Sequence, residues 1–294
     1  MSLPIKERKA PANDPEMDEE PIFGFKEQWK PFQTRHHEFF ERYSNLQAAL
    51  NAAFIRVVKD GEAHDWVVFT QGRVCAEEFF EILLMAANGY GICALKLIRS
   101  LYERAVTMDY LSQHPTDVAA FVDYHSVAQR KLMKAIQNSM KSDPFTKEKI
   151  EEVETEFLKV KSGFMVTDCS TCGTQRLNHT WHRLDLVSMA QKTKFGKLIV
   201  PAYYVPMGHV HSTMRALLSR TDESQPSGTQ FHAESQPKEA DMALELAHNI
   251  MLGVLGSQET HFKLEELSKP LQKCLEDFVE IWHPGKAVAT DPIL

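Results

Sequence analysis

Cysteine is scarce: the chain has five in 294 residues, an odd number without regular spacing. That excludes a disulfide-stapled framework and fits a protein kept reduced in the cytoplasm. Long apolar runs are missing as well. The uncharged stretches 82–95 and 198–214 are broken by Asn88, Gly89 and Gly91 in the first, and by Pro201, Pro206 and two histidines in the second. Neither supplies the ~18–20 apolar residues of a bilayer span, so no membrane partner is expected. The N-terminal segment MSLPIKERKAPANDPEMDEEP lacks the apolar centre of a secretory signal. Positive charge is not in excess either. With a net charge of −7, nothing indicates a bulk electrostatic grip on nucleic acid. Period-two alternation and internal repeats are absent, which removes the main signatures of sheet and solenoid folds.

What is present is ordinary globular material, 43% hydrophobic and 25% charged, arranged with helical periodicity. Residues 1–22 carry four prolines among charged and small polar residues and read as a disordered tail. After Pro31, the positions Phe32, His36, Phe39, Tyr43, Leu46, Leu50, Ala53 and Val57 form one helical stripe that Gly61 should stop. A second helix over 64–88 is built on Trp66, Phe69, Phe80, Leu83 and Leu84, and ends in Asn88-Gly89-Tyr90-Gly91. The third, 92–113, repeats Ala94, Leu97, Ile98, Leu101, Ala105, Met108 and Leu111. Pro115 then opens a fourth, with Val118, Phe121, Val122, His125, Ala128, Leu132 and Ile136 on its apolar face.

Asp143-Pro144 starts a short amphipathic helix. The pattern lapses over 161–178, becomes helical again over 181–193, and is then split by Pro201 and Pro206. A polar loop at 221–237 precedes two final helices. The expected fold is an all-α bundle of about eight helices, with residues 23–294 forming one domain.

Arg-Ser-Leu-Tyr-Glu at 99–103, followed by Tyr110-Leu111 and His114-Pro115, resembles a bacterial family of helical proteins of unknown function. Trp181, Tyr204 and Val210-His211 resemble later positions of that family: a tryptophan that opens a helix, and a tyrosine followed by Val-His. The likeness spans roughly residues 65–220 and implies a helical fold and a bacterial origin, with no activity attached. Pro206 and the Cys169–Cys172 loop depart from the pattern.

Several residues could carry chemistry. Arg99 and Glu103 lie four apart and share a helix face with Lys96. They make either an ion pair that orients the bundle or an arginine held ready for an anion, and structure is favoured about two to one. His125 lies on the next helix, whose short connection makes it an antiparallel neighbour, so it could approach that pair. His209 and His211, near Tyr203, Tyr204 and Arg215, could hold an anion or perform acid–base work, or else line a helix junction.

Cys169-Ser-Thr-Cys172 is less accidental, since roughly 0.07 such pairs are expected by chance. Two thiolates with His179 and His182, which share a face if a helix has begun, would complete a zinc site. An inert polar loop takes the larger share of the odds. Arg176 and His182 match an Arg-x4–6-His ribonuclease spacing that chance alone produces. Glu245–His248 and Glu280–His283 match the spacing of di-iron ligands at close to the chance rate, and the cluster Glu77, Glu78 and Glu81 has no histidine to go with it.

The leading reading is a cytoplasmic binding or interaction protein with Tyr204, His209 and Arg215 among its contact residues. The alternative is a phosphodiester hydrolase using Arg99, Glu103, His125 and His211. Their meeting in a solvent-reachable cleft is what the enzymatic reading requires.

Overall fold

The computed structural model describes residues 25–57, 62–168, 172–222, 230–231 and 235–285. The tail at 1–22, the Gly61 helix stop and Cys169 lie outside the described residues. Helix dominates, as expected, but in shorter pieces: eleven α-helices among the described residues where about eight were expected. They are α1 (Lys26–Arg35), α2 (His37–Phe54), α3 (Ala63–Ala87), α4 (Gly91–Gln113), α5 (Val118–Ser139), α6 (Lys147–Val160), α7 (Leu186–Ala190), α8 (Val205–Val210), α9 (Met214–Leu218), α10 (Pro237–Phe262) and α11 (Glu265–Trp282). None of them is long and apolar enough to cross a membrane.

The extra pieces have identifiable causes. The first stripe breaks at His36, whose φ of −112° and ψ of 29° leave the helical region. Asp241 closes over this break, 2.7 Å from His36 Nε2 and 3.0 Å from Arg35 Nη2. Pro31 lies inside α1 instead of ahead of it. Near the other prolines, a 3₁₀ segment at Lys194–Leu198 runs into a π-helical turn at Ile199–Tyr204, and Pro206 occupies the first turn of α8.

The expected helix over 181–193 starts only at Leu186, where Asp185 caps it by accepting the Ser188 N–H. Trp181 therefore precedes the helix and does not open it. Two short antiparallel hairpins also occur, which the absence of alternation did not foretell. β1 (Met165–Thr167) pairs with β2 (Gln175–Leu177), and β3 (Thr221–Asp222) pairs with β4 (Gln230–Phe231). They are too short to show a period.

The main core is the packing of α3, α4 and α10, with α2 and α11 closing one side. Every residue of α10 from Leu246 to Gln258 is buried, as expected of a helix covered on all sides. Two polar knots fix its register. Ser257 Oγ donates to the buried Asp109 of α4 at 2.6 Å, and Gln258 Nε2 donates to the Val68 carbonyl of α3 at 2.9 Å.

On α3 the expected stripe is displaced. Trp66, Phe80 and Leu84 are 63%, 42% and 50% exposed, while Val67, Val68, Gly72, Cys75, Ala76, Phe79 and Ile82 face inward. Small residues occupy the close contacts, which leaves the larger side chains toward solvent. Phe39, Phe79, Phe195 and Phe278 are fully buried, contributing about 1.5–3 kcal/mol each. Exposed pairs such as Arg73–Glu77 and Lys149–Glu152 add less than about 1 kcal/mol. Packing, not surface charge, holds this fold.

α5 touches the main body chiefly through its first turns. Further along, it pairs with α6 around a second small core of Val127, Phe157 and Phe164. Arg130 links the two helices, bonding Glu154 at 2.8 Å with its guanidinium 4.3 Å from the Phe157 ring centre.

Two consequences can be measured. At the start of α4, a Cβ on Gly91 would lie 2.2 Å from the Gln236 carbonyl oxygen and 2.5 Å from the Ala240 backbone nitrogen, so the two backbones meet where no side chain fits. Gly91→Ala should therefore cost about 2 kcal/mol or more in urea unfolding. Gly163→Ala, with nothing within 4 Å of the added carbon, should change stability by under about 0.5 kcal/mol. His248 gives the second. It is buried against Phe39 and Phe278, accepts the Trp282 indole N–H at 3.1 Å, and burial pushes its pKa down from 6.5 to about 3. Between those pH values the unfolded chain binds one more proton there than the folded chain. Stability should thus fall with decreasing pH by about 1.4 kcal/mol per unit from this residue. His248→Gln, which keeps an acceptor for Trp282, should show a shallower loss across the same window in acid-unfolding curves.

Candidate functional site

α4 is buried on the sides that meet α3 and α10, and its remaining face carries Arg99, Ser100, Glu103, Arg104 and Thr107. Arg99 Nε donates to Glu103 Oε1 at 2.6 Å, one helical turn on. The Arg99 guanidinium stands 4.8 Å over the Tyr203 ring, and its Nη1 lies 3.3 Å from His211 Nε2. Arginine can only donate, so His211 accepts there and carries its own proton on Nδ1.

On the other flank, the buried Glu78 of α3 receives Ser100 Oγ at 2.6 Å and Arg104 Nη2 at 3.0 Å on the same oxygen. Burial works against the Arg104 cation, but the hydrogen bond and charge of Glu78 outweigh it and raise its pKa. The motif at 99–103 is thereby accounted for residue by residue. Leu101 enters the core, and Tyr102 is buried with its hydroxyl on the Phe195 carbonyl at 3.1 Å.

Among α3, α4 and α5 lies an open cleft of about 300 Å³ lined by Gln71, Ser100, Glu103, Arg104, Thr107 and Phe121. Two of the residues that line it carry a buried polar atom without a hydrogen-bond partner, Gln71 Oε1 and Arg104 Nε, and so does Glu78 behind them, at Oε2. Each such atom costs about 1–3 kcal/mol while it stays unpaired.

Arg99, Glu103 and His211 are therefore brought together, with Tyr203. His125 is not. It is exposed on α5 and makes no hydrogen bond or ion pair among the described residues, while the buried position of that stretch is Val127. The helical stripe predicted through His125 assumed that α5 packs on the main body along its length, whereas beyond its first turns it turns toward α6.

Tyr204 is exposed and stacks edge-on with Tyr203 at 5.3 Å. His209 is buried on α8, where burial, then the charges of Arg215 and Arg220, lower its pKa. Arg215 lies across Gly208 so closely that a Cβ there would be 3.0 Å from its Cδ. Glu78 was visible in the sequence only as one of three nearby glutamates. Nothing in the spacing distinguished it from the exposed Glu77 and Glu81.

The candidate zinc ligands are arranged differently from a helical face. Cys172 lies in the loop of the β1–β2 hairpin, its Sγ 2.9 Å from Thr174 Oγ1. His179 is exposed in an irregular segment, and its carbonyl accepts the Tyr124 hydroxyl. His182 has both nitrogens engaged. Nδ1 accepts the Leu184 N–H at 2.9 Å, and Nε2 faces Asp117 at 3.4 Å and the Tyr110 hydroxyl at 3.5 Å. Its ring serves the local turn. Arg176 pairs with Asp168 across the hairpin at 2.7 Å. His248 faces rings and an indole, an apolar setting unlike a di-iron site.

No curated protein and no solved structure matches the chain. Residues 65–228 match a family of unknown function (DUF5677), a segment that holds α3 through α9 and with them every residue of the α4 cleft. The match covers more than half of the sequence, and the chain belongs to that family.

Proposed function

We propose that the chain is a binding protein whose α4 cleft takes a small polar molecule bearing both hydrogen-bond donors and acceptors. The observation that carries this is an open cleft whose wall gathers Gln71, Ser100, Glu103, Arg104 and Thr107, with two polar atoms on those residues, Gln71 Oε1 and Arg104 Nε, left without a hydrogen-bond partner. Glu103 and Thr107 extend the polar wall, and Phe121 offers an apolar face to the ligand's carbon skeleton. A reduced, cytoplasmic setting is part of the same reading, supported by the free cysteines Cys75, Cys93 and Cys274. One domain over 23–294 is part of it, because a single core cluster draws on residues from Phe32 to Phe278.

A phosphodiester-hydrolase reading is the second, favoured by the Arg99–His211 contact beside Glu103. It rests on Arg99, Glu103 and His211 without His125. In it, His211 would supply the base once Arg99 turns from its Nε2 to a phosphate, and Arg99 the charge that holds that phosphate.

The binding reading is tested by thermal shift and calorimetry with a panel of nucleosides, amino acids and sugar phosphates. A ligand at about 100 times its Kd should stabilise the protein by roughly 2.7 kcal/mol. Removing Arg104 alone would leave the buried Glu78 carboxylate without its cation, so the informative variant is the double Glu78→Gln, Arg104→Gln. That variant should remain folded and lose at least about tenfold in affinity. Binding unchanged in it, or no panel member binding, would refute the cleft as the site. His211→Ala should abolish any cleavage of single-stranded RNA, and cleavage that persists would remove the hydrolytic reading.

A further inference from the structure

A second cluster lies at the opposite end of α4 from Gly91. His64 and Asp65 stand in the first turn of α3, and His261 in the last turn of α10. One potential ligand atom from each lies within 4.8 Å of the others, the one such group of three found among the described residues. The two imidazole rings meet edge to face, with centroids 4.6 Å apart.

The outward hydrogen bonds of these histidines decide which nitrogens remain. His64 Nε2 lies 2.9 Å from the Leu111 carbonyl, and a carbonyl only accepts, so this nitrogen carries the proton and Nδ1 keeps its lone pair. His261 faces the backbone of Ser112, the next residue along, and turns Nε2 to Asp65 Oδ1 at 2.9 Å. If the ring gives its proton to the Ser112 carbonyl, Nε2 too is a lone pair, set against a carboxylate oxygen. In that tautomer the cluster offers imidazole lone pairs and a carboxylate oxygen to a cation; in the other, His261 Nε2 donates to Asp65. Histidines whose far nitrogen is held by a backbone carbonyl are the usual arrangement around a protein-bound metal, because the carbonyl fixes both tautomer and ring orientation.

The ends of α4 and α10 meet the start of α3 at this point, so the C-terminal carbonyls of two helices bring partial negative charge that outnumbers the one N-terminus opposing it. Asp65 and Glu266 both act on the nearby Arg56 cation, whose guanidinium is stacked 4.2 Å over the Phe262 ring.

We propose that His64, Asp65 and His261 form a site for a divalent first-row transition ion, with zinc the natural probe for a two-imidazole, one-carboxylate donor set. Three protein ligands leave at least one coordination position for water. The ion would tie the start of α3 to the ends of α4 and α10. Asp65 is 43% exposed, which leaves a route for entry.

The test uses full-length protein stripped with EDTA and titrated with zinc against a chromophoric chelator, and with cobalt followed by its visible absorption. One ion per chain is expected, with a thermal midpoint that rises on zinc addition. His261→Gln and Asp65→Asn should each weaken zinc binding at least tenfold, and Cys172→Ser should leave it unchanged. Should His261→Gln fail to fold, Asp65→Asn decides alone, since that side chain is half exposed. Zinc binding no tighter than that of the double variant His64→Gln, His261→Gln would overturn the proposal and leave a protonated His261–Asp65 ion pair in its place. Loss of binding in Cys172→Ser would overturn it equally, by moving the ligands to the β1–β2 hairpin.

Discussion

The complete burial of α10 is the constraint on which the other elements depend. A helix with no solvent-facing side from Leu246 to Gln258 must be covered by neighbours along its whole middle, and α3, α4, α2 and α11 take up those positions. Apolar burial alone would let such a helix slide or rotate by small steps at little cost. The Ser257–Asp109 and Gln258–Val68 hydrogen bonds prevent that, because a shifted register would strand a buried carboxylate and a buried amide. At the other end, Gly91 lets the start of α4 touch the start of α10 backbone to backbone. α4 is thus held at both ends against the same partner.

That arrangement determines where functional groups can be. With two flanks of α4 buried, its polar residues are confined to one strip, and Arg99, Ser100, Glu103, Arg104 and Thr107 fall on it in a run of nine residues. The two arginines are bound differently. Arg99 is tied within its own helix and to Tyr203. Arg104 is tied to Glu78 on a neighbouring helix and orients α3 against α4. A buried pair of this kind contributes little net stability over an apolar replacement but strongly disfavours any packing that separates its members.

How much of this was legible follows from which interactions are local. The limits of α3 and α4 were readable to within a residue or two, because Asn88-Gly89 and His114-Pro115 act on their own backbone. The Arg99–Glu103 pair was readable for the same reason, being one turn of one helix. The burial of His125 was misjudged because a stripe states only that a helix has an apolar side. Whether a residue on that side is covered depends on how far the neighbouring helix extends. Trp66, Phe80 and Leu84 were misplaced by a related effect. Large side chains were read as core, while the close α3 contacts select Gly72, Cys75 and Ala76. Glu78, and the approach of His261 to His64 and Asp65, are contacts between residues 22 or more positions apart. No local spacing encodes them.

The cleft and the histidine cluster share one element, and this gives them a fixed relation. The cleft is built on the middle of α4, from Ser100 to Thr107, and the cluster leans on the carbonyls of Leu111 and Ser112 at its end. Twelve helical residues separate Arg99 from Leu111, about 18 Å along the axis. Over that length α4 is continuous α-helix without proline or glycine, so it has no hinge at which the distance could change. The loops that face the two regions are less constrained. His211 follows a helix of six residues broken from its neighbours by Pro201 and Pro206, and Cys172 stands at a hairpin loop. The Arg99–Tyr203–His211 contact therefore joins a continuous helix to a segment interrupted by prolines, whereas Glu78 and Arg104 join two long helices to each other.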